Sequence, residues 1–466
     1  MPLKQFTTDF QTLAKDQYLR NDEKFYAFLN FSNWNLFDVE NKNPISLKDI
    51  LVDDYNNFEY EEGEEYKGIP TGQTYLDEDG YIKEFQPVTA ENHPGRLKYK
   101  VSNDNILISS LRLAKSPALY FENENLNDYV FSNGFYIYKV KNGWNKKFVL
   151  YVLRTKKLKN ILDNHIYRGI GISAYKDSDL KKIKIPLVAK SKQDQIVAEI
   201  EPIEKKIKEL KSQITPPQEI INKVFAREFD FDLEKFEELK KEKFFEVGIS
   251  KITSSLIRST IVQNSPGTHF LKSFLKQNTI FLKDILMRPI KRGKQPEYAE
   301  DGIKVIKTLN IQKGQIIFDE VQFVSENFLK NNEGKAGIYK NDLLLTSTGM
   351  GRGKFALYND EEICFADSHI SIIRFNPKRL LPYFLNYYCQ SFLGIEQLRY
   401  IEMQIKGTPE IYEAQLNYFQ IPNIPLKHQK KIVDEIKTEL DKQEEMKKKI
   451  ETQRNKIDEI IKKAVI

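Results

Sequence analysis

The sequence has 466 residues, 40% hydrophobic and 12% aromatic, which allows two to four domains with sizeable cores and excludes a disordered chain. Only two cysteines, Cys364 and Cys389, exclude a disulfide framework or a cysteine-rich zinc site and point to a reducing cytoplasm. The net charge of +6 permits a nucleic-acid partner without demanding one, and apolar runs such as 148–153 are far too short to span a bilayer.

In chain order, the start Met1–Thr7 lacks the apolar core of a signal peptide. LKDIL at 47–51 precedes an acidic stretch, FEYEEGEEYKG (58–68), which must face away from any phosphate. NDNILISS (103–110) reads as an apolar strand, and the loop after it, SSLRLAKSP (109–117), carries Arg112 and Lys115. VFSNGFYIYKV (130–140) is a further strand-like run, and 149–163 has helical character. YRGIG (167–171) places Arg168 ahead of Ile185-Pro186-Leu187. Apolar residues then recur at Ile196, Ile200, Ile203, Ile207, Leu210 and Ile214, the a/d seam of a coiled-coil helix, with Ile221 and Val224 in phase. The outer faces are lysine and glutamate, as on a solvated helix. Pro216-Pro217 predicts a kink or break near 215–217, with Thr215 as N-cap and Pro216 at the first helical position.

The pattern then starts again. LKDIL recurs at 282–286, and MRPIKRGK (287–294) sets Arg288, Lys291, Arg292 and Lys294 behind it. KNDLLLTS (340–347) answers NDNILISS, with Asp342 opposite Asn105, and CFADSHISIIRF (364–375) answers 130–140. A helical stretch covers 380–399, and KGTP (406–409), with Lys406, stands where YRGIG stood. QKKIVDEI (429–436) repeats QDQIVAEI (193–200), each behind an Ile-Pro-Leu, and EIIKK (459–463) repeats EIINK (219–223). The second seam runs Ile432, Ile436, Leu440, Met446, Ile450, Ile457 and Ile460, interrupted by polar Gln443 and Gln453. So many matches in one order make the chain two copies of a unit of roughly 235 residues. Residues 1–185 and 229–424 are expected to be α+β globules, and 186–228 and 425–466 their helices. A helix of about 38 residues is roughly 57 Å long, more than a globule's own core needs. The two seams are therefore expected to pack on each other, antiparallel.

TSTGMGRGK (346–354) is the most enzyme-like string. A phosphate-cradling Walker loop needs GxxxxGK and then Ser or Thr, whereas Gly349 and Gly353 enclose three residues and Phe355 follows Lys354. The corresponding loop of the first copy has no glycine, yet both keep basic residues: Arg112 and Lys115, Arg352 and Lys354. Such side chains suit DNA phosphates or guanine O6/N7. The five histidines show no metal-ligand spacing, and the adenine-methyltransferase pattern of Asp or Asn, two prolines and Tyr or Phe is absent. No catalytic residue and no metal site is assigned to this chain.

Two globules, each followed by Ile-Pro-Leu and a QxxIVxEI helix, with a hydrophobic–Asp/Asn–Ile/Leu–Leu strand before a small-residue loop, resemble the specificity subunit of type I restriction-modification systems. The resemblance covers nearly the whole chain; 1–45 and 229–280 match poorly. It implies an α+β fold with two similar target recognition globules joined by two long antiparallel coiled-coil helices, a pseudo-twofold internal duplication. Each globule would read half of a split, asymmetric sequence in double-stranded DNA. The helices would set the gap and bind two methyltransferase subunits, which in turn carry a translocating nuclease subunit. S-adenosylmethionine, ATP and magnesium would belong to those partners, with no cofactor bound directly and no membrane contact. Half-sites on one DNA face recur about every 34–36 Å, a distance that a helical spacer can set. Neighbouring readings are a specificity subunit of a methylation-only or other phage-defence complex, and a coiled-coil scaffold whose globules bind proteins. Only the DNA readings predict affinity that falls steeply with salt and prefers one sequence.

Overall fold

Short apolar runs punctuated by Asn, Gly and Pro make short strands, and here they do so twice. The computed structural model describes residues 34–37, 43–72, 74–111, 118–122, 124–168, 174–242, 246, 265–312, 314–318, 321–349, 351–401, 403–405 and 408–465. The chain divides into two units, one of Met1–Gln213 with Lys447–Ile466 and one of Ile214–Met446. Among the described residues no helix is long and apolar enough to cross a membrane.

In the first unit an antiparallel four-stranded sheet has the order Leu51–Asp53, Phe135–Val140, Ile106–Ser109, Ala118–Tyr120. A five-stranded sheet has the order Asn56–Asn57, Leu97–Lys100, Tyr129–Ser132, Glu65–Ile69, Gln86–Thr89, and only the pair Tyr129–Ser132 with Glu65–Ile69 is parallel. In the second unit the four-stranded order is Lys291–Arg292, Ile370–Ile373, Leu343–Thr346, Phe355–Leu357. Its five-stranded sheet runs Tyr298–Ala299, Gln322–Val324, Ile303–Ile306, Cys364–Ala366, Gly337–Ile338, again with one parallel pair, Ile303–Ile306 with Cys364–Ala366. Four strands of that sheet are common to both units. The fifth is added at opposite edges, Asn56–Asn57 beside Leu97–Lys100 in one and Tyr298–Ala299 beside Gln322–Val324 in the other.

The repeated motifs explain themselves in this frame. Each LKDIL turn follows a strand that pairs just upstream of the long helix, Pro44–Ser46 with Lys184–Pro186 and Thr279–Phe281 with Gln420–Pro422. The equivalent of Ile185-Pro186 is therefore Ile421-Pro422, three residues before the Ile-Pro-Leu chosen from sequence. Asn105 and Asp342 are both buried, and each accepts from the backbone N–H three residues earlier, of Ser102 and Tyr339, at 2.8 Å. The glutamine of QxxIVxEI is 1% exposed in both copies. Gln193 accepts from Asn145 N–H and donates to the Val188 carbonyl; Gln429 accepts from Leu381 N–H and donates to those of Ile424 and Arg379. Asn145 and Leu381 are N-caps of the helices Lys146–Arg154 and Pro382–Gln390, so this side chain welds the first turn of the long helix to its globule. Gln429→Leu is expected to destabilise the second unit by about 2–3 kcal/mol, because three backbone groups lose the partner that the buried amide gives them. Urea unfolding checks this.

The seams behave differently from expectation in one respect. They do not merely pack on each other: Ile196 and Ile200 enter the core of the first globule together with Ile461, and Ile221, Val224, Ile432 and Ile436 enter that of the second. A long helix serves the globule because its apolar stripe is wide enough to face both neighbours. Ile207, Leu210 and Ile450 are buried, whereas Ile203, Ile214, Leu440, Met446 and Ile457 are half-buried. Pairing is antiparallel within each unit. In the first, Ile196 and Ile203 line a groove with Ile460 and Ala464, and Ile207 lies with Glu451 and Ile457. In the second, Thr215 meets Gln443, Arg227 meets Glu435 and Glu228 meets His428.

The central helix is two helices, Lys190–Ser212 and Pro217–Glu228, with Pro216 as N-cap and Pro217 at the first position, one residue later than expected. Pro202 sits inside the first of them without ending it. Gln443, the polar residue that interrupts the second seam, is buried and accepts the Thr215 N–H freed by the break, at 2.9 Å. Farther along, His428, Arg227 and Lys431 surround Glu228; the His428 hydrogen bond leads in lowering its carboxyl to about 2 against the opposing effect of burial. Because the folded value lies below the unfolded one, this stabilisation is present above the ordinary 4.5 and is lost as pH falls towards 2. Between pH 5 and 2.5 the wild type is expected to lose about 1–2 kcal/mol more than Glu228→Gln, after allowance for solvent screening. Melting curves of the two proteins across that range read it directly.

Candidate nucleic-acid interface

The glycine string is the hairpin between Leu343–Thr346 and Phe355–Leu357. Gly349 and Gly353 have φ of +80° and +81°, a backbone region in which a side chain is strained. The Thr346 hydroxyl donates to the Gly351 carbonyl at 2.6 Å and accepts from Lys354 N–H at 3.0 Å, which ties the hairpin shut. A strand follows instead of the helix N-terminus on which a nucleotide phosphate would rest. Lys354 is exposed beside Thr346 at the base of the loop, and an Arg352 guanidinium N–H donates weakly to Gly349 O at 3.4 Å.

Three further segments meet this hairpin at one end of the four-stranded sheet. Arg292 is opposite Ser371 in the strand pairing, and Ser371 is opposite Leu345. The turn 367–369 is fixed by Asp367, which accepts His369 N–H at 2.9 Å, and the His369 carbonyl accepts Ser347 N–H at 2.9 Å. The hairpin of Met403–Ile405 and Thr408–Glu410 joins through a bridge from Glu410 to Thr348 and through Ile411 N–H, which donates to Ser347 O at 3.0 Å. Buried Ser347 and Ser371 share a hydroxyl bond of 2.5 Å, and Ser371 also reaches Glu413. The first unit builds its sheet end in the same way. Ser110 N–H donates to Gly134 O, Tyr175 N–H donates to Ser110 O, and Leu111 bridges to Ala174 beside Tyr167–Arg168.

The basic residues picked from sequence divide sharply here. Arg292 pairs with Glu410 and with Glu413; burial opposes its charge, but the two carboxylates hold the guanidinium above its usual range, and Arg292 in turn lowers Glu410. Arg288 and Lys291 both donate to the carbonyl of Gly334, in the last turn of the helix Glu326–Ala336, where cations offset the helix dipole. Burial, followed by repulsion from Arg374, lowers the Arg288 pKa. Lys294 donates to Asn332 of the same helix and lies over Phe328. Three of the four cations of MRPIKRGK thus serve one helix, and only Arg292 faces the hairpin end. Arg112, Lys115 and Lys406 lie outside the described residues, as does the side chain of Arg168. His369, which the sequence offers as either a structural residue or a DNA contact, stands at the centre of the cluster.

Residues 34–216 match the family model of the type I restriction modification DNA specificity domain. The chain carries a type I restriction-modification DNA specificity domain. That domain spans the first globule and the helix up to the break, and the second unit repeats its strand order and sheet end. Solved structures of similar architecture include one described as the structural basis of complex assembly and conformational transition of the type I R-M system, at 14% identity and TM-score 0.46, covering 92% of this chain and 99% of that one. Others are the HsdS subunit from Thermoanaerobacter tengcongensis, at 14%, TM-score 0.34 and 91% and 96% coverage, and the type I S subunit from M. genitalium, at 14%, 0.43 and 92% and 97%. Comparison with curated proteins gives no match.

Proposed function

We propose that this specificity subunit reads a bipartite, asymmetric sequence in double-stranded DNA, one half with each globule. Its helices dock two methyltransferase subunits, and restriction subunits join through them. The chain has no chemistry of its own on this reading; S-adenosylmethionine, ATP and magnesium act in the partners. The observation that carries the reading is the sheet end built twice from the same backbone contacts but with different side chains. A common frame with divergent tips is what two readers of unlike half-sites require. The DNA-contact candidates are Arg352 and Lys354 in the second globule, together with Arg112, Lys115, Arg168 and Lys406. Arg292 is assigned instead to positioning the hairpin Met403–Glu410. Arg352→Ala and Lys354→Ala are each expected to weaken DNA binding about three- to tenfold and to reduce the salt slope by about one if they lose a phosphate contact. Titration at several salt concentrations measures both.

Long-read methylation sequencing of host DNA, with the gene intact and deleted, tests the function. Loss of an adenine mark at one split, asymmetric motif is the expected result. An unchanged methylome even when methyltransferase partners are co-expressed would contradict it.

A further inference from the structure

The two sheet ends can be superposed hydrogen bond by hydrogen bond, and this identifies one position where the globules differ in kind. In the first unit the carbonyl that accepts the N–H of the serine after the central strand belongs to Gly134, bonded to Ser110 at 2.9 Å. In the second the same bond, also 2.9 Å, runs from Ser347 to His369. The serine carbonyl then accepts the next hairpin's N–H in both, from Tyr175 at 3.1 Å and from Ile411 at 3.0 Å. Gly134 and His369 therefore occupy one structural position. A Cβ at Gly134 would come within 2.8 Å of the Thr71 hydroxyl, so the first globule closes this spot with another segment and presents no side chain there. The second globule presents an exposed imidazole.

That imidazole is held as a reading group should be. Its backbone N–H is bonded to buried Asp367, its carbonyl to Ser347, and its Nδ1 to the Thr348 hydroxyl at 2.5 Å. Thr348 is itself braced by the bridge to Glu410. With Nδ1 occupied, Nε2 has no hydrogen-bond partner among the described residues. When the Thr348 hydroxyl donates to Nδ1, Nε2 carries the proton and is a donor. The acceptor chemistry that suits it on a major-groove edge is N7 of a purine, with guanine O6 alongside. Pre-organisation of this kind lowers the ordering cost of a contact, and the surrounding glycines allow the DNA backbone to approach closely.

We propose that His369 is a specificity-determining residue of the second globule, donating from Nε2 to a purine in one half of the DNA target, while the first globule reads its half without a counterpart. The proposal rests on the DNA-reading function above. The test is selection from a random duplex library by the full-length chain, wild type and variants, with the bound DNA sequenced. Wild type is expected to enrich a two-part motif. His369→Ala should lose about five- to tenfold discrimination at one or two adjacent purine positions of one part and leave the other part unchanged. Thr348→Val should give a smaller loss at those same positions, because the ring keeps its place but not its orienting bond. An unchanged motif for His369→Ala, or losses spread over both parts, would overturn the assignment of His369 alone. No motif for the wild-type chain would overturn the DNA-reading function, and the assignment with it.

Discussion

Ile461→Asp is expected to unfold the first unit and leave the second folded. Ile461 is fully buried in the same core as Phe148, Val152, Ile196 and Ile200. The helix around it is also pinned to that globule by charge: Arg454 forks onto Asp79 and reaches Glu78, and Lys156 pairs with Glu451 at 2.5 Å. A carboxylate at position 461 would be surrounded by hydrocarbon, and relieving it means expelling the whole segment. The cost exceeds about 4 kcal/mol, a large share of a domain's stability. Hydrogen exchange resolves the outcome by unit, since Ile106–Ser109 should lose protection while Leu343–Thr346 keeps it. Lys462→Asp, at an exposed neighbour, should change little. Equal protection in both strands would show that Ile461 is dispensable to the core.

Arg374→Met should be nearly as severe in the second unit. The guanidinium holds both oxygens of Asp342 at 2.8 and 2.6 Å, and Asp342 is 1% exposed. Removing the cation leaves a buried carboxylate unpaired, which costs about 3–5 kcal/mol. The first unit shows the remedy. Its equivalent residue is neutral Asn105, which keeps the turn bond from Ser102 and donates to Asp54, itself paired with Lys139. Asp342→Asn in the Arg374→Met background is therefore expected to recover most of the loss. A double-mutant cycle by chemical denaturation gives the coupling, and additive costs would contradict the pairing.

The duplication was legible because motifs that weld helix to globule must keep their side chains. Gln193 and Gln429 make equivalent buried bonds and cannot vary as surface residues do. The break after Ser212 was legible for a similar reason, since a proline pair leaves the helix few alternatives. Which way each side chain of the basic run 288–294 points was not, because charge in sequence has no direction. A two-residue strand sends Lys291 and Arg292 to opposite faces, and a run this short shows no alternation from which to read that. The seams were misjudged in part because a heptad pattern records that a stripe is buried, not which neighbour buries it. For His369 the sequence left a structural role and a DNA contact open, because its meaning comes from comparison with Gly134, and the two fall into register only through their hydrogen bonds.

The first unit is completed by residues that follow the whole of the second one in the chain. A ribosome must add the 233 residues of Ile214–Met446 before the helix carrying Arg454 and Ile461 is made. At roughly 5–20 residues per second that is on the order of ten to fifty seconds. During this interval Ile196 and Ile200 lack their covering helix, whereas the second globule can close as soon as Ile432 and Ile436 emerge. The later-made globule is thus positioned to finish folding first. The nascent first globule, with its apolar helix face still uncovered, is the stage at which chaperone capture or pairing with another nascent chain would occur.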